Sequence, residues 1–196
     1  MGTSKFNGIN QISYQLAKSK IKTGDILFCS GRYLVSEMIK KLSNSVFSHV
    51  ALLVYWNERV LVLESVEDDG VRVVPLSHYL YNYENSKEKY NGEMYVARHE
   101  VVDSSDFDKE KIKSMCGKAI DLLNRNYDKD EIAKIVARIS LGIVRHTEDF
   151  EYMCSEFVDE CYKQLEIELS RDPMGFIFPE HIAADPYVKP LFEITP

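Results

Sequence analysis

Two apolar segments lie so close together in the sequence that they can pair in only one direction. FSHVALLVY (47–55) and RVLVLESV (59–66) are rich in β-branched and aromatic residues, and only Trp56-Asn57-Glu58 separates them. A connection this short joins antiparallel neighbours, because parallel strands need a crossover of a dozen or more residues. The sequence therefore predicts an antiparallel hairpin over residues 47–66.

The hairpin lies within a longer run of predicted strands, which is followed by predicted helices. Short apolar runs that begin or end at turns predict further strands at 26–30, 71–76 and 94–102. Apolar residues at helical spacing predict helices at 107–123, 130–144 and 153–166, and Pro179 marks the start of a further helix at 179–186. Strands gathered first and helices later indicate the α+β class, with an antiparallel meander.

Length, charge and cysteine content limit the kind of protein this is. A chain of 196 residues without a Pro/Gly-rich linker predicts a single domain over 1–196. The excess of 31 acidic over 24 basic residues argues against nucleic acid and against an anionic membrane surface as partners. Four cysteines are too few for a disulfide scaffold.

The sequence carries no apolar run of membrane-spanning length and no signal peptide at its first residues. We therefore expect no transmembrane segment and, by default, a cytoplasmic location, although a leader removed beforehand would leave no trace.

The segment YMCSEFVDECYKQL (152–165) has the clearest helical pattern and places Cys154 in the first turn. The first turn presents unpaired N–H groups and the positive end of the helix dipole, which favour a thiolate and can stabilise an oxyanion. The alternative is a buried cysteine that completes an apolar stripe, and this structural interpretation is favoured for Cys29, Cys116 and Cys161.

A candidate base and its orienting partner lie on the predicted hairpin. His49 interrupts an apolar strand, and Glu64 is the one acidic residue of the next strand. A two-residue Trp56-Asn57 loop places the two side chains opposite each other, and a four-residue WNER loop makes them diagonal neighbours on the same face. A three-residue loop would separate them onto opposite faces. The alternatives are a buried pair with a structural role and an edge position open to solvent.

One thiol at a helix start and one imidazole–carboxylate pair suggest a Cys–His–Glu arrangement for acyl transfer. The chain order His49, Glu64, Cys154 is no objection, because such triads are defined by geometry rather than by order. A non-catalytic module that binds a ligand in the same pocket is the alternative from a different functional class.

Six segments resemble a known family and occur in its order along the chain. They are KTGDILFCSG (22–31), SHVALLV (48–54), LESVEDDGVRVVPLSHYL (63–80), NYDKDEI (126–132), YMCSEFVDECY (152–162) and GFIFPEHIAADP (175–186). The sequence resembles the circularly permuted papain-like enzymes of the NlpC-type superfamily, in particular the YaeF/YiiX-like group. The resemblance implies a core at about 22–186, in which a small antiparallel sheet packs on the helix of the nucleophilic cysteine and the histidine precedes the cysteine.

The resemblance also implies roles for four residues. Cys154 is the nucleophile, His49 the general base and Glu64 the orienting residue, and the hydroxyl of Tyr127 approaches the thiol or the oxyanion. Without the resemblance, Tyr127 would be interpreted as a surface tyrosine before a helix. No metal or organic cofactor is implied.

Related branches hydrolyse peptidoglycan peptides, and a permuted branch that resembles lecithin retinol acyltransferase handles lipid acyl groups. We therefore expect an amidase or peptidase that acts on a small peptide, such as one derived from the cell wall. A lipid acyl hydrolase or acyltransferase is the second expectation, so the partner is a small peptide or a lipid-like acyl substrate. Candidate pocket residues are Phe47, Tyr79, Tyr81, Tyr83 and Ser155, together with the helix at 130–144 as a wall or lid.

Overall fold

The computed structural model of the chain describes residues 2–104, 109–127 and 153–196. These residues form seven strands and seven α-helices. The strands are β1 (Gln11–Ser13), β2 (Asp25–Gly31), β3 (His49–Trp56), β4 (Arg59–Val66), β5 (Gly70–Pro75), β6 (Gly92–His99) and β7 (Val188–Thr195). The helices are α1 (Tyr14–Lys18), α2 (Leu34–Ser43), α3 (Leu76–Tyr81), α4 (Glu100–Asp103), α5 (Lys109–Asp121), α6 (Cys154–Tyr162) and α7 (Pro179–Ala184).

All seven strands belong to one sheet in the order β1-β7-β6-β2-β3-β4-β5. The meander is confirmed from β2 to β5, and the α+β class is confirmed with it. The prediction of a small antiparallel sheet was wrong, because β6 returns to pair with β2, β7 is added to β6, and β1 pairs with β7 in parallel. The predicted helix at 130–144 lies outside the described residues.

Strand β7 has no clear signature in the sequence because proline interrupts it. Pro190 has no backbone N–H to donate to a ladder, and it lies at a register shift in the pairing between β6 and β7. A β-bulge at this point accommodates the proline, and strand pairing continues on both sides of it. Its pairing with β6 and β1 reveals the segment as a strand.

A two-residue turn sets the register of the β3–β4 hairpin. Trp56 pairs with Arg59 and Leu52 pairs with Leu63, so the loop is Asn57-Glu58. Both loop residues have positive φ, 44° and 59°, as a type I′ turn requires. This register is the one predicted for the WNER loop, in which Trp56 and Arg59 now also pair with each other. It makes His49 and Glu64 diagonal neighbours on one face of the sheet.

Alternate residues of β3 belong to two core layers on opposite faces of the sheet. Val50 and Leu52 pack in the layer that contains helix α6, whereas Ala51 and Leu53 pack in the layer that contains helix α3. His49 shares the α3 face with Ala51. Helix α6 covers the face of the sheet opposite to His49. The first residue of α6 can therefore contact His49 only at the end of the sheet where β3 begins.

A buried ion pair ties the start of β2 to the end of β6. Arg98 donates to both carboxylate oxygens of Asp25, at 2.6 and 2.9 Å, and also donates to the carbonyl of Lys20. The Asp25 side chain is completely buried. The aspartate of the TGD turn is therefore held in the interior by Arg98.

Within the described ranges, no helix is both long and apolar enough to cross a membrane.

Removal of Arg98 should destabilise the fold strongly. We expect Arg98→Met to lower the free energy of unfolding by about 3–5 kcal/mol, because the charge of Asp25 remains buried without a cation, held among the described residues only by the backbone N–H of Lys22. Arg32→Met is the matched control, since the Arg32–Glu93 pair is exposed and 3.5 Å long, and it should cost less than about 1 kcal/mol. Urea unfolding measures both variants, and equal losses would contradict the assignment.

Candidate active site

The hairpin brings the predicted base and its partner into direct contact. Nε2 of His49 lies 2.7 Å from Oε2 of Glu64. The Glu64 side chain is completely buried, whereas that of His49 is 17% exposed. The two side chains lie on the same face of the sheet, as the observed register requires.

Two further donors hold the buried carboxylate. The Tyr79 hydroxyl donates to Oε2 of Glu64, and Nε of Arg72 donates to Oε1 at 3.0 Å. Burial raises the pKa of Glu64, but the His49 hydrogen bond and the positive charges of His49 and Arg72 outweigh burial, so the pKa is lowered overall. Glu64 is therefore ionised at neutral pH.

Cys154 is the first residue of α6, and its thiol hydrogen-bonds with His49. Because Nε2 of His49 is paired with Glu64, Nδ1 is the ring nitrogen left for the thiol. Glu156 accepts a 2.9 Å hydrogen bond from the backbone N–H of Met153 and so caps the start of the helix. The result is a continuous chain of contacts from Cys154 through His49 to Glu64.

The charge on His49 follows from these contacts. Burial lowers the pKa of His49, but the hydrogen bonds with Cys154 and Glu64 outweigh burial and raise the pKa to about 10. His49 is thus an imidazolium at neutral pH, and it lies between a thiol and a carboxylate. A cysteine hydrolase uses this charge state to hold a thiolate beside it.

Tyr127 lies at the same site. It is 8% exposed, packs with Met153, Phe176 and Phe178, and lines the same pocket as His49. Met153 directly precedes the cysteine, so the Tyr127 cluster is in contact with the start of α6. The structure therefore brings the four residues Cys154, His49, Glu64 and Tyr127 together.

The approach of the chain to Tyr127 depends on a glycine at the edge of the sheet. The backbone of Val71 pairs with residues 124–125: its N–H donates to the carbonyl of Arg125 at 2.8 Å, and its carbonyl accepts from Asn124 at 2.9 Å. A Cβ atom on Gly70 would lie 2.0 Å from the Arg125 carbonyl oxygen, and Gly70 has a φ of 66°. Glycine is required here both by the space and by the conformation.

A pocket of about 330 Å³ opens at His49. Among the described residues, five tyrosines, three carboxylates and one arginine line it together with small polar and apolar residues. The tyrosines and charged residues are Tyr33, Tyr79, Tyr83, Tyr90, Tyr127, Glu67, Asp68, Glu84 and Arg72. Cys154 is 2% exposed and is not among the described lining residues, whereas His49, its hydrogen-bond partner, and Tyr127 line the pocket. A larger cavity of about 720 Å³ lies beside α2, and its described lining contains neither histidine nor cysteine.

The candidate pocket residues fall into two groups. Tyr79 and Tyr83 line the pocket, whereas the structure does not bring Phe47, Tyr81 or Ser155 to it. Phe47 is completely buried against aromatic rings of the core, Tyr81 is 56% exposed, and the Ser155 hydroxyl donates to the carbonyl of Ile177 at 2.7 Å.

Sequence reasoning missed Arg72 and the hydrogen bond from Tyr79 to Glu64. Arg72 pairs directly with Glu64 across β4 and β5. The signal was present, because Arg72 is the single charged residue of VRVVPL and the EDDG turn is tight enough to fix the pairing. The Tyr79 contact had no such signal, since it depends on how α3 packs on the sheet.

The other three thiols have different surroundings, and one of them, Cys29, pairs with His49 across β2 and β3. Cys29 and Cys161 are buried and Cys116 is half-buried, and burial raises the pKa of each. All four cysteines are free. Among residues 2–104, 109–127 and 153–196, no group of three or more His, Cys, Asp or Glu side chains is arranged to hold a metal ion.

The protonation of His49 can be tested by titration. We expect the NMR midpoint of His49 to lie well above 6.5, near 10, and to fall in Glu64→Gln, because one of the two contacts that raise the pKa is weakened. Loss of the signal in His49→Gln assigns it. A His49 midpoint near 6.5 in the unsubstituted protein would contradict the charge assignment.

Comparison with known proteins gives the same fold and a family. Residues 20–187 match the Peptidase_C92 family, which is described as permuted papain-like amidase enzyme, YaeF/YiiX, C92 family. A crystal structure described as metalloprotein yiiX from Escherichia coli O157:H7 has a TM-score of 0.65 and is 20% identical. The match covers 89% of this chain and 98% of that chain, and it shows a shared fold.

No protein with a curated description matches the sequence. The family match covers most of the chain, including the strands that carry His49 and Glu64 and the helix that begins with Cys154. The chain belongs to the Peptidase_C92 family of permuted papain-like amidases.

Proposed function

We propose that the chain is a single-domain cysteine hydrolase that cleaves an amide bond of a small peptide, with Cys154 as nucleophile, His49 as base and Glu64 as orienting residue. One observation carries this proposal: the chain of hydrogen bonds from the thiol at the start of α6 through the His49 ring to the buried Glu64 carboxylate. The family supports it at the level of a permuted papain-like amidase.

The first half of the reaction forms an acyl-enzyme. The Cys154 thiolate attacks the carbonyl carbon, and the electron pair moves to the carbonyl oxygen. The N–H groups of the first turn of α6 stabilise that oxyanion, and Tyr127, which packs against Met153, is the candidate for a further donor. His49 then donates its proton to the leaving nitrogen, the C–N bond breaks, and an amine leaves.

The second half returns the enzyme to its starting state. Neutral His49 takes a proton from water as the water attacks the thioester carbon. The C–S bond breaks, the acid is released, and Cys154 is again a thiolate beside the His49 imidazolium. Glu64 keeps the ring oriented through Nε2 and stabilises its positive charge in both halves, so Nδ1 remains directed at the thiol.

The pocket favours a peptide over an anionic lipid. A volume of about 330 Å³ admits a short peptide segment, and the five tyrosines of the lining offer flat apolar surfaces with hydroxyl groups. Glu67, Asp68 and Glu84 place negative charge in the lining, which would repel a phosphate headgroup. An amide of a small peptide, such as one derived from the cell wall, is therefore the first candidate substrate, and a lipid acyl group is the second.

Alkylation distinguishes an enzyme from a binding module. With iodoacetamide at pH 6, we expect Cys154 to react about 100-fold faster than Cys116, because an ordinary thiol is almost fully protonated at this pH. His49→Ala should remove the difference, and His181→Ala, at the start of α7, is the matched control. Peptide mapping by mass spectrometry gives the rate at each cysteine. Equal rates at Cys154 and Cys116 would disprove the thiolate.

Hydrolysis can then be measured with matched substrates. We expect cleavage of short peptide amides to be lost in Cys154→Ala and to fall about 100-fold or more in His49→Ala. Acyl esters of the same length test the lipid alternative. Faster turnover of long-chain esters than of peptide amides would favour the lipid acyl function, and an unchanged rate in Cys154→Ala would exclude Cys154 as the nucleophile.

A further inference from the structure

Each carboxylate oxygen of Glu64 is held by a side chain other than His49. Oε2 accepts from both His49 and the Tyr79 hydroxyl, and Oε1 accepts from Nε of Arg72 at 3.0 Å. The carboxylate therefore has three donors in fixed directions. A single donor would leave it free to rotate about its terminal bond, whereas three donors define its plane.

The position of Arg72 is itself fixed from the other side. Nη1 donates to Asp69 at 2.6 Å, and Nη2 donates to Glu84 at 2.5 Å. The Arg72 side chain is 14% exposed, whereas Asp69 and Glu84 are about half exposed. Nε2 of His78 accepts from the backbone N–H of Glu84 at 3.1 Å and so holds the loop that carries this carboxylate. Arg72 thus bridges the buried Glu64 to two partly exposed carboxylates, of which Glu84 lines the pocket.

The position of the Tyr79 hydroxyl is fixed by ring packing. Tyr79 belongs to α3 and is 1% exposed. Its ring centroid lies 4.9 Å from that of Tyr83 and 5.4 Å from that of Tyr90. Packed rings of this kind have little freedom to turn, so the hydroxyl is held toward Glu64. Tyr79 therefore lines the pocket with its ring and supports the carboxylate with its oxygen.

We propose that Arg72 and Tyr79 are positioning residues that act on the reaction through Glu64: Arg72 supplies the charge that keeps the carboxylate ionised, and Tyr79 fixes the oxygen that faces His49. This inference rests on the proposed function. A carboxylate without water contact needs a cation and donors to remain charged. A carboxylate that turns or takes up a proton no longer holds the His49 ring toward Cys154.

The two roles predict different responses to substitution. Arg72→Met removes the cation, so Glu64 should bind a proton at higher pH. Arg72→Lys keeps a positive charge without the planar fork and should give an intermediate result. Tyr79→Phe removes one donor and leaves the cation in place, so it should disturb the orientation of Glu64 more than its charge.

Carboxyl ¹³C NMR on glutamate-labelled full-length protein reads the charge of Glu64 directly, with Glu64→Gln to assign the signal. We expect the midpoint of Glu64 to rise by about one to three pH units in Arg72→Met, and by less in Arg72→Lys and in Tyr79→Phe. The matched controls are Arg59→Met and Tyr55→Phe, since both residues are exposed and lie at the far end of the β3–β4 hairpin. Unchanged midpoints in Arg72→Met, Arg72→Lys and Tyr79→Phe would overturn the inference.

The pH profile of Cys154 alkylation reads the effect on the site. The acidic limb should move to higher pH in Arg72→Met, and the plateau rate should fall about tenfold in Tyr79→Phe, because one hydrogen bond to a charged group is lost. Thermal unfolding monitors folding in every variant. If Arg72→Met does not fold, the Glu64 midpoints and alkylation profiles of Arg72→Lys and Tyr79→Phe test the proposal instead. A changed Glu64 midpoint with an unchanged alkylation profile would overturn the inference.

The two proposals fail in different ways. Equal alkylation of Cys154 and Cys116 in the unsubstituted protein would overturn the proposed function, whatever the variants show. The carboxyl midpoints would then decide alone whether Arg72 and Tyr79 control the state of Glu64. A fast Cys154 with unshifted midpoints would instead support the hydrolase and contradict the role of Arg72 and Tyr79.

Discussion

A carboxylate that has lost all contact with water stays charged only if its neighbours replace that water, and Glu64 is such a group. His49, Tyr79 and Arg72 donate to its two oxygens. These donors come from three separate elements, β3, α3 and β5. The packing of the sheet edge around β4 therefore determines whether Glu64 is ionised, and the charge of Glu64 in turn helps to keep His49 protonated.

The site forms where two core layers meet at the end of a strand. His49 and Glu64 share the α3 face, while helix α6 covers the other face with the residues that follow Cys154. His49 is the first residue of β3, so its ring can contact the first residue of α6 at this boundary. A histidine in the middle of the strand would be separated from the thiol by the sheet itself. This placement lets a rigid sheet and a rigid helix hold the two reacting groups.

The same edge of the sheet also sets the position of Tyr127. The chain that leaves α5 pairs with Val71, and Gly70 allows the close approach of the Arg125 carbonyl. Tyr127 follows two residues later and packs with Met153, which precedes the nucleophile. Strands β4 and β5 thus support Glu64, Arg72 and the segment that carries Tyr127, so one hairpin connects most of the candidate site.

The sequence by itself determined the local parts of this arrangement. The short connection after Trp56 imposed an antiparallel hairpin, and the period of two put His49 and Glu64 on one face for either even loop length; the Asn57-Glu58 turn of the structure then excluded the three-residue loop. Helical periodicity put Cys154 in a first turn. These features depend on residues close together in the chain, and local patterns report them well. The resemblance to a family added Tyr127, which no local pattern could have distinguished from a surface tyrosine.

Only the tertiary structure decided which distant elements meet. Strand β7 becomes visible through its pairing with β6, because Pro190 interrupts the pattern of the isolated segment. The contact of Tyr79 with Glu64 depends on the docking of α3, and the burial of Phe47 depends on rings supplied by three other elements. Such contacts are set by the packing of whole layers. The same packing that buries Tyr79 leaves Tyr81, two residues further along α3, exposed to solvent. Periodicity in the sequence shows which side chains share one face of a strand or helix. Which other element packs on that face is fixed only when the layers of the fold come together.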